Sequence, residues 1–220
     1  MDTDYWEDRW ATGDTPWQLE QVNPLLQRFL PDLQVASGSR VLVPLCGQSL
    51  DMLWLRDQGY QVVGIELSEQ SIRGFLEHHD LQAEKASFDW GIRYALPGLD
   101  LLHADIFALD AVQVGPVDLI WDRAALVALP QAMRADYIRQ LMALTPTRPP
   151  LLCWTLEYEQ QQVAGPPFSV WLDEVERLLG RDAAVTTLLH RDSLARSPGF
   201  REAGVSALQE RLWLAQWRDR

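Results

Sequence analysis

Apolar residues along this chain fall into two patterns that predict different elements of secondary structure. Short uninterrupted runs bounded by turn-forming residues are typical of strands buried in a sheet. Longer stretches with apolar residues three or four positions apart are typical of helices that bury one face. Runs of this kind, two of them broken by a single polar residue, occupy residues 41–43, 62–65, 117–121 and 151–156. Because they alternate with helical stretches, the chain is predicted to form an α/β fold with helices on both faces of a mostly parallel sheet.

A short helix is predicted directly after the first strand. Ser49 is placed to cap it, and Leu50, Leu53 and Trp54 fall on one face at helical spacing. Gly59 is placed to end it, since glycine readily adopts the left-handed conformation found after helices.

A second helix is predicted to start at Ser68, which can cap it. Ile72, Phe75 and Leu76 form its apolar face. The remaining stretches with helical spacing are residues 22–30, 131–144 and 170–179.

The other segments give weaker signals. Residues 1–20 carry three tryptophans among acids, glycine and proline and are predicted to lack a regular element. Residues 86–107 are predicted to be irregular at first and strand-like towards their end, including 104–107. Residues 185–190 and 207–217 are two strand candidates without a long helix between them, so an antiparallel pair at the edge of the sheet is expected.

Residues 40–68 carry the strongest functional signal. A buried strand leads into a tight turn around Gly47, a short helix follows, and a second buried strand ends on Glu66. An acid about 20 residues after the glycine turn is typical of a nucleotide-binding half-fold. Glu66 is placed to accept hydrogen bonds from both hydroxyls of a ribose.

The turn itself narrows the choice of cofactor. A dinucleotide pyrophosphate needs successive glycines, as in GxGxxG, and this turn has one glycine. The chain also has no GxxxxGK[ST] phosphate loop. A nucleoside without phosphate, such as S-adenosylmethionine, fits best. A nicotinamide-dependent oxidoreductase and a non-enzymatic binder of small anions or nucleosides stay open at this point.

Composition limits the partners. The net charge of −12 over 220 residues opposes binding to nucleic acid or anionic membranes. The chain has no apolar run long enough to span a membrane, and its acidic start lacks a secretory signal. Two cysteines, Cys46 and Cys153, fit a reducing cytoplasm, and the four histidines show no metal-ligand spacing. We therefore expect a cytoplasmic monomer that acts on a small molecule without a metal.

Several motifs coincide with one family. PLCGQSLDM, VVGIELS, DLIWDRAALVA and AGPPF resemble, in order and spacing, motifs of the thiopurine S-methyltransferases, especially the bacterial branch. WEDRWATGDTPW near the start and ERLWL near the end are also similar. The resemblance implies a single methyltransferase domain over residues 1–220 with a mobile flap at 1–20. It also implies a Rossmann-like class I methyltransferase fold, with a mostly parallel seven-stranded sheet and an antiparallel C-terminal edge strand.

The resemblance implies a reaction as well. S-adenosylmethionine would donate its methyl group to a soft nucleophile and leave as S-adenosylhomocysteine. The acceptor would be a thiopurine, another aromatic thiol, or a selenium or tellurium species, which in bacteria is associated with tellurite resistance. Such acceptors arrive largely as anions, so no general base is required.

The resemblance, together with residue chemistry, also implies a set of site residues. Arg123 follows a strand and has a planar guanidinium suited to both cofactor and substrate anion, so it is the candidate catalytic residue. Trp17, Phe168 and Arg196 are candidate substrate contacts, with Arg201 as the alternative to Arg196. Aromatic faces such as Trp10 attract a sulfonium cation. The predicted cofactor contacts are Trp10, Leu45, Gly47, Glu66 and Arg123, with Asp105 and Ile106 beside the adenine.

Overall fold

A computed structural model describes residues 3–180 and 182–218 of the chain. The chain divides into two compact units. The first unit runs to Ile120 and includes Ala143–Thr147; the second contains Trp121–Met142 and the residues from Arg148 onward. Among the described residues, no helix is both long and apolar enough to cross a bilayer.

In the part of the chain that the structure describes, nine strands form one mixed sheet. In chain order they are β1 (Arg40–Pro44), β2 (Gln61–Glu66), β3 (Glu84–Phe88), β4 (Gly91–Leu96), β5 (Leu99–His103), β6 (Leu119–Asp122), β7 (Leu151–Glu157), β8 (Ala183–Asp192) and β9 (Gln209–Trp217). Their hydrogen-bonded order is β3-β4-β5-β2-β1-β6-β7-β9-β8. The pairs among β5, β2, β1 and β6 are parallel, and those involving β3, β4, β8 and β9 are antiparallel.

The predicted seven-stranded sheet is therefore wrong in two respects. Residues 84–96, most of which belong to the segment predicted to begin irregularly, form the antiparallel hairpin β3–β4, which adds two strands beyond β5. Every residue of β3 is exposed, so the strand has no apolar pattern from which to predict it. The antiparallel strand β9 also lies between β7 and β8 rather than at the edge, although the expected antiparallel pairing of the last two strands is confirmed.

The helices connect these strands. They are α1 (Thr3–Thr12), α2 (Pro24–Phe29), α3 (Asp51–Asp57), α4 (Glu69–His78), α5 (Ala111–Val114), α6 (Ala125–Ala128), α7 (Gln131–Leu144), α8 (Leu172–Leu179) and α9 (Pro198–Glu202). Single-turn 3₁₀ segments occur at Leu30–Leu33, Ile106–Ala108, Gln160–Gln162 and Leu194–Arg196.

The start of the chain departs from the prediction. Residues 1–20 were expected to lack a regular element, but the structure forms the helix α1 there. Its aromatic side chains pack on one another: the Trp6 and Trp17 rings are 5.4 Å apart and the Trp10 and Trp17 rings 5.9 Å apart, both edge to face. Packing among aromatic rings thus compensates for a segment with few aliphatic residues.

The helix α3 forms where predicted but buries a different face. Met52 and Leu55 are fully buried, whereas Leu50, Leu53 and Trp54 are only partly buried. The helix begins after Leu50, and Ser49 contributes only a 3.3 Å bond from the Asp51 amide. The predicted stop is confirmed, since Gly59 follows the helix with φ +88°.

The helix α4 confirms its prediction closely. Ser68 caps it by accepting a hydrogen bond from the Ser71 amide, and Ile72, Phe75 and Leu76 are buried. The predicted strand-like character of residues 104–107 is wrong, because Asp105 caps the 3₁₀ turn Ile106–Ala108 there.

In the second unit, β6 ends on a buried acid. Asp122 is 1 % exposed, and its Oδ1 accepts hydrogen bonds from the amides of Ala125 (3.0 Å) and Leu126 (3.2 Å). Its Oδ2 accepts the Tyr137 hydroxyl at 2.7 Å. Asp122 therefore caps α6 and ties it to α7. Burial raises the pKa of Asp122 from 3.8 to about 6, against the opposing effect of these hydrogen bonds.

This pKa makes stability depend on pH in a defined direction. Because the folded pKa lies above the unfolded one, the contribution of Asp122 is fully present below pH 3.8 and is lost as pH rises through about 6. Asp122→Asn keeps the acceptor for both amides and does not titrate. Between about pH 5 and about pH 8, the unfolding free energy of the wild type should fall by about 1.4 kcal/mol relative to this variant. Urea denaturation of both proteins measures the difference, and a flat difference would contradict the assignment.

Candidate functional site

The turn after β1 is tightly constrained. Leu45 has φ +47° and Gly47 φ +52°, so two residues adopt the left-handed conformation within three positions. Such a conformation is unfavourable for leucine and readily adopted by glycine. Between them, the Cys46 amide donates to the Ile65 carbonyl at 2.9 Å. This bond fixes the turn against the end of β2.

Glu66, the last residue of β2, lies at the centre of this region. One carboxylate oxygen accepts the Gly47 amide and the other accepts the Ser68 amide, each at 2.8 Å. The residue is 7 % exposed, and burial raises its pKa, while the amide hydrogen bonds oppose the rise. A carboxylate has about four lone-pair positions, so Glu66 keeps acceptor capacity beyond these two bonds.

The N-terminal segment packs against this turn. A Cβ atom at Gly47 would lie 3.2 Å from the Trp10 ring, so the indole rests directly on the glycine backbone. The Gln18 side-chain amide donates to the Gln48 carbonyl at 2.5 Å. The Ser68 hydroxyl donates to Glu7 at 3.0 Å. Of the predicted site residues, Trp10, Leu45, Gly47 and Glu66 therefore lie together.

An arginine lies within the aromatic cluster of this segment. The Arg9 guanidinium lies 5.5 Å from the centroid of Trp17 and 5.6 Å from that of Tyr5, and it pairs with Asp14 at 2.5 Å. Trp17, predicted as a substrate contact, is thus placed by its contacts with Arg9, Trp6 and Trp10.

Asp105 and Ile106 follow β5, in the same unit. The Asp105 carboxylate accepts the Phe107 amide at 3.0 Å, and the residue is partly exposed. Ile106 is 1 % exposed and belongs to the core. Asp105 is therefore the more accessible of these two predicted cofactor contacts.

In the second unit, Arg123 follows β6 directly. Its guanidinium carbon lies 5.9 Å from the centroid of the Trp154 ring, within the range of a cation–π contact. The preceding residue, Asp122, caps the next helix by accepting two backbone amides.

A cluster that the sequence did not predict surrounds Trp154. Its indole N–H donates to Glu210 Oε2 at 3.1 Å. The other Glu210 oxygen accepts the Arg196 guanidinium at 3.3 Å and also pairs with Arg191. Arg196 thus joins the cluster, and Arg201 lies exposed in α9. Trp154 was hidden in an apolar run, and its partner is 56 residues away in sequence, so no local pattern could reveal the pair.

Phe168 lies in the loop with the sequence AGPPF. Its amide donates to the Val127 carbonyl at 2.6 Å, and its ring packs against Gly165. The Tyr158 hydroxyl donates to the Pro167 carbonyl at 2.6 Å. These bonds tie the loop to α6 and to the residue that follows β7, and they give Phe168 a defined position.

Neither thiol is suited to nucleophilic chemistry. Cys46 and Cys153 are buried and unpaired, and burial raises the pKa of both well above the usual range of a thiol. Among residues 3–180 and 182–218, no cluster of three or more histidine, cysteine or acidic side chains could hold a metal ion.

Comparison with known sequences gives a consistent result. Residues 1–218 match the family described as thiopurine S-methyltransferase. The thiopurine S-methyltransferase of Pseudomonas aeruginosa is 41 % identical over 216 residues, covering 98 % of this chain and 99 % of that protein. That of Xanthomonas campestris pv. campestris is also 41 % identical over 216 residues, with the same coverage.

Solved structures show the same fold at lower identity. Magnesium protoporphyrin IX methyltransferase from Synechocystis, solved with S-adenosylmethionine, superposes with a TM-score of 0.66 at 15 % identity over 100 % of this chain and 98 % of that one. The Burkholderia thailandensis 1,6-didemethyltoxoflavin-N1-methyltransferase, solved with S-adenosylhomocysteine, gives 0.65 at 16 % identity over 99 % and 87 %. The chain therefore belongs to the thiopurine S-methyltransferase family of S-adenosylmethionine-dependent methyltransferases.

Proposed function

We propose that the protein transfers the methyl group of S-adenosylmethionine to an anionic sulfur, selenium or tellurium atom of a small molecule, with aromatic thiols and thiopurines as the main acceptor class. The observation that carries the acceptor class is the arrangement of Arg123 on the face of Trp154, because a planar cation beside an aromatic ring suits a flat anion. The relatives named thiopurine S-methyltransferase support the same class. The family also favours this reaction over the oxidoreductase and the non-enzymatic binder.

The residues around Glu66 fit the cofactor. A buried carboxylate with spare lone pairs can accept ribose hydroxyls, and a turn with one glycine does not need to enclose a pyrophosphate. The indole of Trp10 supplies an aromatic surface next to Gly47. We propose that Trp10, Leu45, Gly47 and Glu66 hold the cofactor, with Asp105 and Ile106 beside the adenine, and that Arg123 is a further cofactor contact.

The chemistry divides simply between cofactor and chain. When bound, S-adenosylmethionine supplies an electrophilic methyl group on a cationic sulfur. Arg123 holds the acceptor as an anion, with Arg196 and Phe168 as further contacts. Trp17 and Trp10 exclude water from the reacting groups. Since thiols and selenols of low pKa are already ionised, no side chain needs to act as a base.

We further propose that the protein works as a cytoplasmic monomer on small molecules, including selenium and tellurium species of the kind associated with tellurite resistance. Its two unpaired buried thiols suit a reducing compartment, and its strong negative charge suits neither nucleic acid nor an anionic membrane surface.

Replacing Glu66 tests the cofactor site. Glu66→Gln removes the charge that strengthens hydrogen bonds from ribose hydroxyls, each worth roughly 1.5–3 kcal/mol, so the Kd for S-adenosylhomocysteine should rise at least about tenfold. Calorimetry measures the Kd. Glu77→Gln, at an exposed position in α4, is the charge-matched control and should bind normally. An unchanged Kd in Glu66→Gln would remove Glu66 from the site.

Removing the N-terminal segment tests the predicted flap. Deletion of residues 1–18 takes away the contacts of Trp10 with Gly47 and of Gln18 with Gln48, but leaves all nine strands in place. We expect cooperative unfolding and a loss of kcat/KM of about tenfold or more. We also expect S-adenosylhomocysteine to protect residues 3–18 from protease in the full chain. Full activity after deletion would contradict the flap.

Replacing Arg123 tests the acceptor class. Arg123→Lys keeps the charge and loses the planar fork, so kcat/KM for a mercaptobenzoate should fall about tenfold. A methyl-substituted benzenethiol, which lacks the carboxylate, should lose much less. Transfer of a labelled methyl group to both thiols, a thiopurine, selenite and tellurite measures activity. Equal losses for both thiols, matched by weaker cofactor binding, would confine Arg123 to the cofactor. Absence of transfer to every acceptor by the wild type would overturn the proposed function.

A further inference from the structure

Trp154 is an exception within its strand. The other six residues of β7 are buried, while Trp154 is partly exposed. One edge of its indole is fixed by the hydrogen bond to Glu210, and its ring lies beside the Arg123 guanidinium. The ring therefore has one polar anchor and one cationic neighbour.

Glu210 in turn is fixed by two arginines. Its side chain is 12 % exposed and pairs with Arg191 and Arg196, whose side chains are 38 % and 57 % exposed. One buried carboxylate thus forms ion pairs with two arginines and accepts a hydrogen bond from one indole. Arg191 and Arg196 pair with this single acid, and Arg123 lies beside the indole that the acid anchors.

These contacts form a continuous chain from Arg196 to Arg123. A carboxylate that accepts the indole N–H draws electron density into the ring, and this strengthens the attraction between the ring face and a cation. The hydrogen bond also prevents rotation of the indole. Since Arg191 and Arg196 hold the Glu210 carboxylate in place, the orientation of the Trp154 face follows from these ion pairs.

We propose that Trp154 and Glu210 are positioning residues, which hold the Arg123 guanidinium in the orientation that selects anionic acceptors. The proposal rests on the role of Arg123 under the proposed function. It adds that the preference for a charged acceptor over a neutral one is set in part by the indole and the buried carboxylate, neither of which needs to touch the acceptor.

A double-mutant cycle tests this arrangement. Trp154→Phe keeps an aromatic face for Arg123 and loses the N–H, and Glu210→Gln keeps an acceptor and loses the charge. Each is combined with Arg123→Lys and assayed with the mercaptobenzoate and the methyl-substituted benzenethiol. We expect each single variant to raise KM for the mercaptobenzoate about threefold to tenfold, with kcat nearly unchanged, and to alter the neutral thiol less than about twofold. In the Arg123→Lys background neither should have any further effect.

Binding without turnover gives a second measurement. The corresponding hydroxybenzoate has no sulfur atom to be methylated, so it measures binding alone. Its Kd, determined by calorimetry with S-adenosylhomocysteine present, should change in each variant by the same factor as the KM for the mercaptobenzoate. His190→Gln is the control, because His190 on β8 pairs with Glu157 of β7, at 3.2 Å, rather than with Glu210. It should leave the ratio of the two acceptors unchanged.

Two outcomes would overturn the positioning role. Equal losses for both acceptors in Trp154→Phe and Glu210→Gln would reduce the cluster to a support for β7 and β9, and so would losses that add fully to those of Arg123→Lys. If the preference for the mercaptobenzoate over the neutral thiol disappears in Arg123→Lys but persists in Glu210→Gln, the positioning role is wrong while the proposed function of Arg123 stands. If Arg123→Lys itself leaves discrimination unchanged, both fail.

Discussion

The first unit depends on the way the Glu66 carboxylate bridges two backbone amides. By accepting from Gly47 and Ser68, it joins the turn after β1 to the start of α4. The same acid closes β2, and the Glu66 carbonyl accepts the Ala104 amide at 3.0 Å after β5. Three parallel strands therefore end around one residue. The cost of burying its charge is offset in part by these amides, so the carboxylate is held in a fixed position by the backbone.

In the second unit, too, buried carboxylates hold neighbouring groups in place, but their partners include side chains as well as backbone amides. Asp122 is the last residue of β6, and two backbone amides and the Tyr137 hydroxyl hold its carboxylate in place. The backbone from which Arg123 extends is therefore fixed. Glu210 gathers two arginines and an indole. In both units a buried carboxylate orders the groups that face outward. The residues proposed to act on cofactor and acceptor are positioned by acids that are themselves largely buried.

The sequence predicted the parts of the molecule in which signals are local. The buried strands, the cap at Ser68 and the acid at Glu66 are all recognisable within short windows, and the family motifs coincide with them. The buried face of α3 could not be predicted, because tertiary packing rather than helical spacing determines that Met52 and Leu55 are buried. The hairpin β3–β4 was hidden because β3 pairs through its backbone and buries no side chain. The Trp154–Glu210 contact joins strands distant in sequence, and only the folded chain brings them together.

The added hairpin also changes which strand terminates the sheet. Without it, the terminal strand would be β5, in which four of five residues are buried and three of those are leucines. With it, the terminal strand is β3, whose polar residues include Lys85, the sole lysine of the chain, paired with Glu69 at 2.8 Å. A charged, solvent-facing border is a poor template for strand addition by another molecule. The hairpin thus protects the leucine-rich interior of the sheet from edge-to-edge aggregation.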